Sequence, residues 1–330
     1  MLNIVSDFIK SILPVKKKTT PSGWTSFNGV CCPHNGESTD TRGRGGLTAN
    51  PDGSVSYHCF NCNFKASYQP GRHLTFKFRK LLKWLGADDT DIKRLVIEAI
   101  RVRELVAPEE VKAEAEEEKI EFKSRDLPED AENLVALDYV HSALEYCVAR
   151  KIDIAKYAFY ATKQEQYNLH RRVIIPCVWQ GKTIGYIGRG LDVGIKPKYY
   201  NQFEPNFVFN TNNQLPDSKF VVVCEGPFDA MSIDGVAVMH NECNETQADI
   251  IESLGREVIV VADRDRAGAK MINNAIEYGW SVSFPVWQET SKDINEAVCK
   301  YGRLFVLKTI LDAKQTSKLK IELMKKKLYN

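Results

Sequence analysis

Apolar and polar positions along this chain change rhythm several times. Ser54-Val-Ser-Tyr-His-Cys59 alternates as a half-buried strand does. Between His73 and Val106, Leu74, Phe78, Leu81, Leu82 and Leu85 recur at three- and four-residue steps, which predicts helices. Ala136 to Lys151 repeats that spacing with Leu137, Val140, Leu144 and Val148 and predicts one more. Arg171 to Gly190 reads as a hairpin turning at Gln180-Gly-Lys182. Beyond Lys219, apolar runs at Phe220–Cys224, Val236–Met239, Val258–Ala262 and Ser281–Trp287 predict strands. Thr246–Leu254 and Ala269–Tyr278 predict helices, stopped by Gly255 and Gly279. Continuous apolar runs suit parallel strands covered on both faces. The fold class expected is α/β, with a doubly wound parallel sheet in its second half. Ligands of such sheets lie at the carboxyl ends of the strands.

Acids stand at those ends. Glu225 follows the first run, and Asp263 and Asp265 follow the third. Residues two apart in extended chain point to one side, so Asp263 and Asp265 can share a site with Glu225. Asp293, after the last run, is a fourth candidate. Asp229 divides evenly between a ligand and an acid favouring the first turn of a helix after Pro227. Magnesium takes a few carboxylate oxygens together with water and phosphate, and two such ions can serve an in-line displacement at phosphorus. Manganese is the alternative ion. Together the acids predict metal-assisted chemistry on a nucleotide or nucleic acid.

The N-terminal region carries a second metal signal. Cys31-Cys32-Pro33-His34 and Cys59-Phe-Asn-Cys62 offer paired knuckles, and Cys31, His34, Cys59 and Cys62 are the expected ligands of one structural zinc. Cys32 in place of Cys31 stays open, and His58 adjoins Cys59. Five further cysteines are scattered singly, which fits a reducing cytoplasm rather than a disulfide framework. Arg42 and Arg44, set among glycines between the knuckles, can reach phosphate. Trp24, Phe27, Tyr57, Phe60, Phe64 and Tyr68 are interleaved with basic residues, a composition that suits single-stranded bases, although each ring alone is better explained by a small core.

Charge sharpens this division. The net charge is only +2, yet Met1 to Lys80 holds eleven Lys/Arg against four Asp/Glu, and Leu105 to Glu132 holds four against eleven. A basic head and an acidic connector separate bodies with different tasks. The amphipathic N-terminus lacks the features of a signal peptide and is expected to be a docking helix. No apolar run is long enough to span a membrane, so no membrane partner is expected. Arg171, Arg172, Arg189, Lys196 and Lys198 could form a positive floor, with Arg189 between two glycines the strongest member. Gly181-Lys182-Thr183 mimics the end of a phosphate loop, but Pro176 stands where that loop needs glycine.

In this order, the Cys/His module, Arg172-Val-Ile-Ile-Pro176 to Gly188-Arg189, Pro197-Lys-Tyr-Tyr-Asn201, Glu225-Gly-x-x-Asp229 and Asp263-x-Asp265-x-x-Gly268 resemble a bacterial-type DNA primase, especially the stand-alone primases of large tailed phages. The last two motifs are the TOPRIM signature, shared with topoisomerases and some nucleases. The resemblance implies a nucleotidyltransferase that makes short RNA primers on single-stranded DNA from ribonucleoside triphosphates. It implies catalytic magnesium on Glu225, Asp263 and Asp265, and template or triphosphate contacts from Arg172, Arg189 and Lys198. A zinc module recognising the template start and a hexameric replicative helicase as partner are implied too, in the cytoplasm of the infected host if the gene is a phage's. The domains expected are residues 1–72, a zinc-ribbon-like template-recognition domain; 73–135, a helical segment and acidic linker; 136–218, an α+β basic subdomain; 219–302, the TOPRIM domain; and 303–330, a basic helical tail. The competing readings are a TOPRIM nuclease, which the same acids would serve, and a non-catalytic nucleic-acid-binding protein. Bare carboxylates argue against the latter because they repel phosphate.

Overall fold

The structure, a computed structural model, describes residues 3–105, 120–162, 168–215, 217–264 and 268–329. Most of the acidic connector, with Glu116–Glu118, lies outside them. The chain forms two compact units, one of residues 1–119 with 252–255, the other of residues 120–251 and 256–330. The fold is mixed α/β, with one five-stranded sheet in the first unit and two in the second.

The first unit opens with α1 (Ile4–Ser11), whose Val5 and Ile9 are buried as a docking helix requires. An antiparallel meander follows: β1 (Lys18–Thr19), β2 (Trp24–Phe27), β3 (Gly45–Ala49), β4 (Val55–Cys59) and β5 (Lys65–Tyr68). Alternation sorts its faces. Val55, Tyr57 and Cys59 turn inward, Ser56 is exposed, and His58 is half-buried. The helices α2 (Phe76–Trp84) and α3 (Asp89–Leu105) complete the same core through Leu74, Phe78, Leu81, Leu82, Leu95 and Ala99. The expected helical segment is present, and residues 73–105 pack into the same unit as residues 1–72 rather than standing apart from them. A small sheet with one apolar face needs a cover, and these helices supply it. Thr75 starts α2 by accepting from the Phe78 N–H over 3.3 Å.

The second unit begins with β6 (Ala131–Asn133) and α4 (Ser142–Ala149). The helix is shorter than the expected Ala136–Lys151 because His141 caps it, its Nδ1 accepting from Ala143 N–H over 3.1 Å. Val140, assigned to the apolar face, is 70% exposed. An antiparallel sheet of order β10-β9-β8-β7-β6 is then built from β7 (Tyr160–Thr162), β8 (Arg172–Trp179), β9 (Lys182–Gly190) and β10 (Tyr199–Phe203). The predicted hairpin is present, with Gln180 and Gly181 both at positive φ, the geometry of a tight two-residue turn.

The remaining chain alternates strand and helix: β11 (Phe220–Cys224), α5 (Pro227–Ile233), β12 (Val236–Ala237), α6 (Glu245–Ser253), β13 (Glu257–Val260), α7 (Gly268–Tyr278), β14 (Ser281–Ser283), α8 (Ile294–Tyr301), α9 (Arg303–Asp312), β15 (Lys314–Gln315) and α10 (Lys318–Tyr329). The sheet order is β12-β11-β13-β14-β15, parallel except at β15. The fourth predicted strand is three residues long; after Phe284 and Pro285 the chain enters a 3-10 turn at Val286–Glu289. The C-terminal segment is no loose tail. Its β15 pairs with β14, matching Ser283 with Lys314, and Val306, Ile310 and Ile321 are buried. Both sheets of this unit contribute to one core, in which Val173, Ile175 and Ile187 join Val222, Ile259 and Ile294. Among the described residues no helix is long and apolar enough to cross a membrane.

Candidate active site and metal centre

The parallel sheet brings its acids to one cleft of about 260 Å³, lined by Glu225, Asp229, Asp263 and Asp293. Glu225 directly follows β11, and Asp263 follows the neighbouring β13 by three residues. The Asp263 N–H donates to Glu225 Oε1 over 3.2 Å, which ties the two strand ends. Gly226 and Pro227 start α5 and leave Asp229 buried in its first turn. Asp293 caps α8, accepting from the Glu296 N–H over 2.8 Å, and still faces the cleft. Gly268 is required by close approach, since a Cβ there would stand 2.1 Å from the Asp263 carbonyl oxygen. Asp265 lies outside the described residues.

Burial, then the charges of Asp293 and Asp263, hold the Asp229 carboxyl well above the usual carboxylate range, against one opposing hydrogen bond from the Asn295 N–H. A buried acid crowded by other carboxylates in this way is relieved by a cation, and an all-oxygen donor set suits magnesium or manganese.

Three cations share the same cleft: Arg150, Arg189 and Lys198. Arg189 is only 8% exposed and lies over Tyr199, 4.7 Å from the ring centroid, beside Phe228 at 5.7 Å. Burial, then Arg189 and Lys292, with Arg150 adding to them, push the Lys198 ammonium below its usual value. Cations pressed together under acids form a seat for a ligand that carries both metal and phosphate. Arg189 and Lys198, expected to contact template or triphosphate, both line this cleft.

Arg172 does not. It is 4% exposed, and its guanidinium donates to the carbonyls of Gly188 (3.0 Å), Pro197 (2.7 Å) and Lys198 (3.3 Å). The expected template or triphosphate contact is corrected to a buried bracket between β8, β9 and the loop before β10. Arg171 is held by Asp192. Arg150 was missed: it follows α4, far in sequence from any motif, and only the fold carries it to the acids. Asn295, two residues past Asp293, was missed as well, and His240 and Asn241 also line the cleft.

In the first unit, Cys31, Cys32, Cys59 and Cys62 bring their sulfurs within 4.8 Å of one another. Cys31 Sγ is 3.3 Å from Cys62 Sγ, and Cys32 Sγ is 3.5 Å from Cys59 Sγ. Tetrahedral zinc holds sulfurs about 3.8 Å apart, so the set fits that ion. His34 is not part of it. Its ring stacks on Trp84, 4.7 Å between centroids, and the expected Cys31/His34/Cys59/Cys62 set is corrected to four cysteines. Both doubled cysteines point inward because the chain enters a 3-10 turn at Cys32–Asn35. Burial pushes the Cys32 thiol up to about 11 and Cys31 higher still. Burial acts on Cys59 in the same sense, but the N–H groups of Cys62 and Asn61 and the Cys32 thiol outweigh it and bring Cys59 below its usual value. Among the described residues only these cysteines bring potential ligand atoms so close.

Asp40, absent from the sequence reading, organises the loop between the knuckles. It accepts from the N–H groups of Gly29, Arg42 and Arg44 at 2.8, 2.9 and 2.7 Å. Arg42 is left exposed; Arg44 is half-buried and bonded to Asn61. The outer sheet face carries Trp24, whose ring lies so close over Gly46 that a Cβ there would meet it at 2.2 Å. Phe60, 66% exposed, packs edge-on to Trp24 and 4.3 Å from the ring of His58.

Residues 222–298 match the Toprim-like family, the stretch that holds Glu225, Asp229, Asp263 and Asp293. A DNA primase of Aquifex aeolicus (strain VF5) is 24% identical over 152 residues, which are 40% of this chain and 30% of that protein, so the match spans less than a third of its length. The zinc-binding and RNA polymerase domains of the Aquifex aeolicus primase align over 94% of this chain and 83% of theirs, at 17% identity and a TM-score of 0.45. The primase fragment of the bacteriophage T7 primase-helicase protein aligns over 82% and 95%, at 14% identity and a TM-score of 0.40. The Toprim-like match and the similarity to a DNA primase agree with the resemblance that the motifs carry.

Proposed function

We propose that this protein is a DNA primase, a nucleotidyltransferase that synthesises short RNA primers on single-stranded DNA from ribonucleoside triphosphates. The observation that carries this reading is the pairing, in one cleft, of Arg150, Arg189 and Lys198 with Glu225, Asp229, Asp263 and Asp293. Acids alone would serve a nuclease as well. A bank of cations beside them suits a substrate that arrives with three phosphates and leaves as pyrophosphate.

In the reaction, the 3′ oxygen of one ribonucleotide forms an ester bond to the α-phosphorus of the next, and the bond to pyrophosphate breaks. Glu225, Asp263 and Asp293, with Asp265, would hold magnesium, which when bound neutralises phosphate charge and polarises the reacting oxygens. Arg189 and Lys198 bind the triphosphate and stabilise the charge that grows on the departing pyrophosphate; Arg150 shares that task. Arg172 keeps the strand and loop carrying Arg189 and Lys198 in register.

Cys31, Cys32, Cys59 and Cys62 would hold one structural zinc, whose four thiolates leave no open position for chemistry. The sheet above them offers Trp24, His58 and Phe60 as stacking surfaces for single-stranded bases, with Arg42 free to meet phosphate. The reading includes residues 1–105 as the template-recognising part, a replicative hexameric helicase as partner, and work in the bacterial cytoplasm.

The test is to incubate the protein with single-stranded DNA, Mg²⁺ and labelled ribonucleotides, beside an Asp263→Asn variant. New short RNA from the native protein alone is the expected result. Shortened DNA without RNA would replace this reading with that of a nuclease.

A further inference from the structure

Asn295, the second residue of α8, is 1% exposed and reaches the cleft. Its Oδ1 accepts from Arg150 Nη1 over 2.7 Å. Its Nδ2 donates to the Arg150 carbonyl over 2.9 Å and to Ser232 Oγ over 2.7 Å. Its backbone N–H donates to Asp229 Oδ1 over 2.9 Å. One residue thus grips Arg150 at both its guanidinium and its main chain, and grips one of the buried acids as well.

Among the described residues, the other close partners of the Arg150 guanidinium are aromatic rings. The guanidinium lies 4.9 Å from the Tyr146 ring centroid and 5.4 Å from that of Phe228. Attraction to ring faces is weakly directional and leaves the N–H groups free to turn in their plane. A hydrogen-bond acceptor fixes that rotation. An amide does so without a charge of its own, whereas a carboxylate at this position would pair with Arg150 and cancel the field it presents to an anion.

We propose that Asn295 is a positioning residue for triphosphate recognition: it aims Arg150 into the cleft while sparing its positive charge. The inference rests on the nucleotide reading above. It predicts that Asn295 matters to nucleotide binding only through Arg150.

A double-mutant cycle in the full chain tests it, with ATP and Mg²⁺ as probe and affinity read by calorimetry. Arg150→Ala and Asn295→Ala are each expected to weaken ATP by about tenfold or more, the scale of a hydrogen bond to a charged group. The double variant is expected to be no more than about threefold weaker than Arg150→Ala alone, as for residues acting in one unit. Asn295→Asp, which keeps the acceptor but adds the opposing charge, is expected to weaken ATP as well. Losses that multiply, or native affinity in Asn295→Ala or Asn295→Asp, overturn the proposal while leaving the nucleotide site standing. No ATP binding by the native protein overturns both. Melting curves establish that each variant is folded, and Asn295→Ser enters the cycle if Asn295→Ala is not.

Discussion

The backbone N–H of Asp263 donates to Oε1 of Glu225 over 3.2 Å, joining residues 38 apart in sequence at the ends of two adjacent parallel strands. This bond fixes the spacing of the two acids before any ligand arrives. A site preorganised in this way spends little binding energy on assembling itself.

Neutralising either acid should therefore remove activity without removing the fold. Asp263→Asn and Glu225→Gln are each expected to lower primer synthesis about a thousandfold, the scale of losing metal-assisted charge stabilisation. Melting temperatures close to native, measured beside the activity, would show that the loss is chemical.

The four sulfurs and the displaced His34 make opposite predictions for neighbouring residues. Cys32→Ser is expected to lose bound zinc and to melt lower, because a closed metal site contributes directly to folding. His34→Ala should retain full zinc content, losing only its stacking on Trp84. Metal analysis, with cobalt-substituted absorption to distinguish four sulfurs from three and a nitrogen, checks both.

Asp229 gives the metal-free protein a pH dependence of defined sign. Its folded-state pKa is raised, so the native state keeps a proton that the unfolded chain releases near pH ~3.9. Stability from this group is complete below that value and is lost as pH rises toward the folded-state pKa. In chelator, as pH rises above about 4, the native protein should melt progressively lower through this acid's contribution, and Asp229→Asn should fall less. Added Mg²⁺ should flatten the native profile, because a cation held by the neighbouring acids offsets the charges that raise the proton affinity of Asp229.

Gly268→Ala tests the packing under the acids. Its methyl would stand 2.1 Å from the Asp263 carbonyl oxygen, so the strand end or the start of α7 must move. A loss of about 1–3 kcal/mol is expected, the usual scale of overpacking. Primer synthesis should fall further than stability alone accounts for, since the displaced residue carries the metal-site carboxylate.

Arg172→Ala should destabilise the protein by about 2–3 kcal/mol, because the carbonyls of Gly188, Pro197 and Lys198 lose a charged donor. Arg172→Lys should recover little, as one ammonium cannot reproduce the planar fork that spans two strands and a loop. Chemical denaturation measures the loss. If Arg172 touched template instead, stability would be unchanged and only DNA affinity would fall.

Much of this protein was legible in the chain because its signals are local. An apolar run of five residues that ends in an acid predicts both the strand Phe220–Cys224 and the position of Glu225, with no knowledge of what packs alongside. Val55, Tyr57 and Cys59 show their inward face by alternation, and the turn at Gln180 and Gly181 follows from the residues that such turns accept. The cysteine pairs likewise announce a metal centre by spacing alone.

The tertiary structure decided which side chains share a space. Arg172 and Arg189 look alike in sequence, yet carbonyls enclose one while the cleft receives the other. Cys32 and His34 compete within a single turn, and only the path of that turn selects the sulfur. Arg150 belongs to no local pattern; it meets Asn295, and through it Asp229, because α4 and α8 converge there. Sequence periodicity encodes the face a residue presents to its own element. The partners waiting on that face, and so the charge state and task of each side chain, are fixed only when distant elements pack.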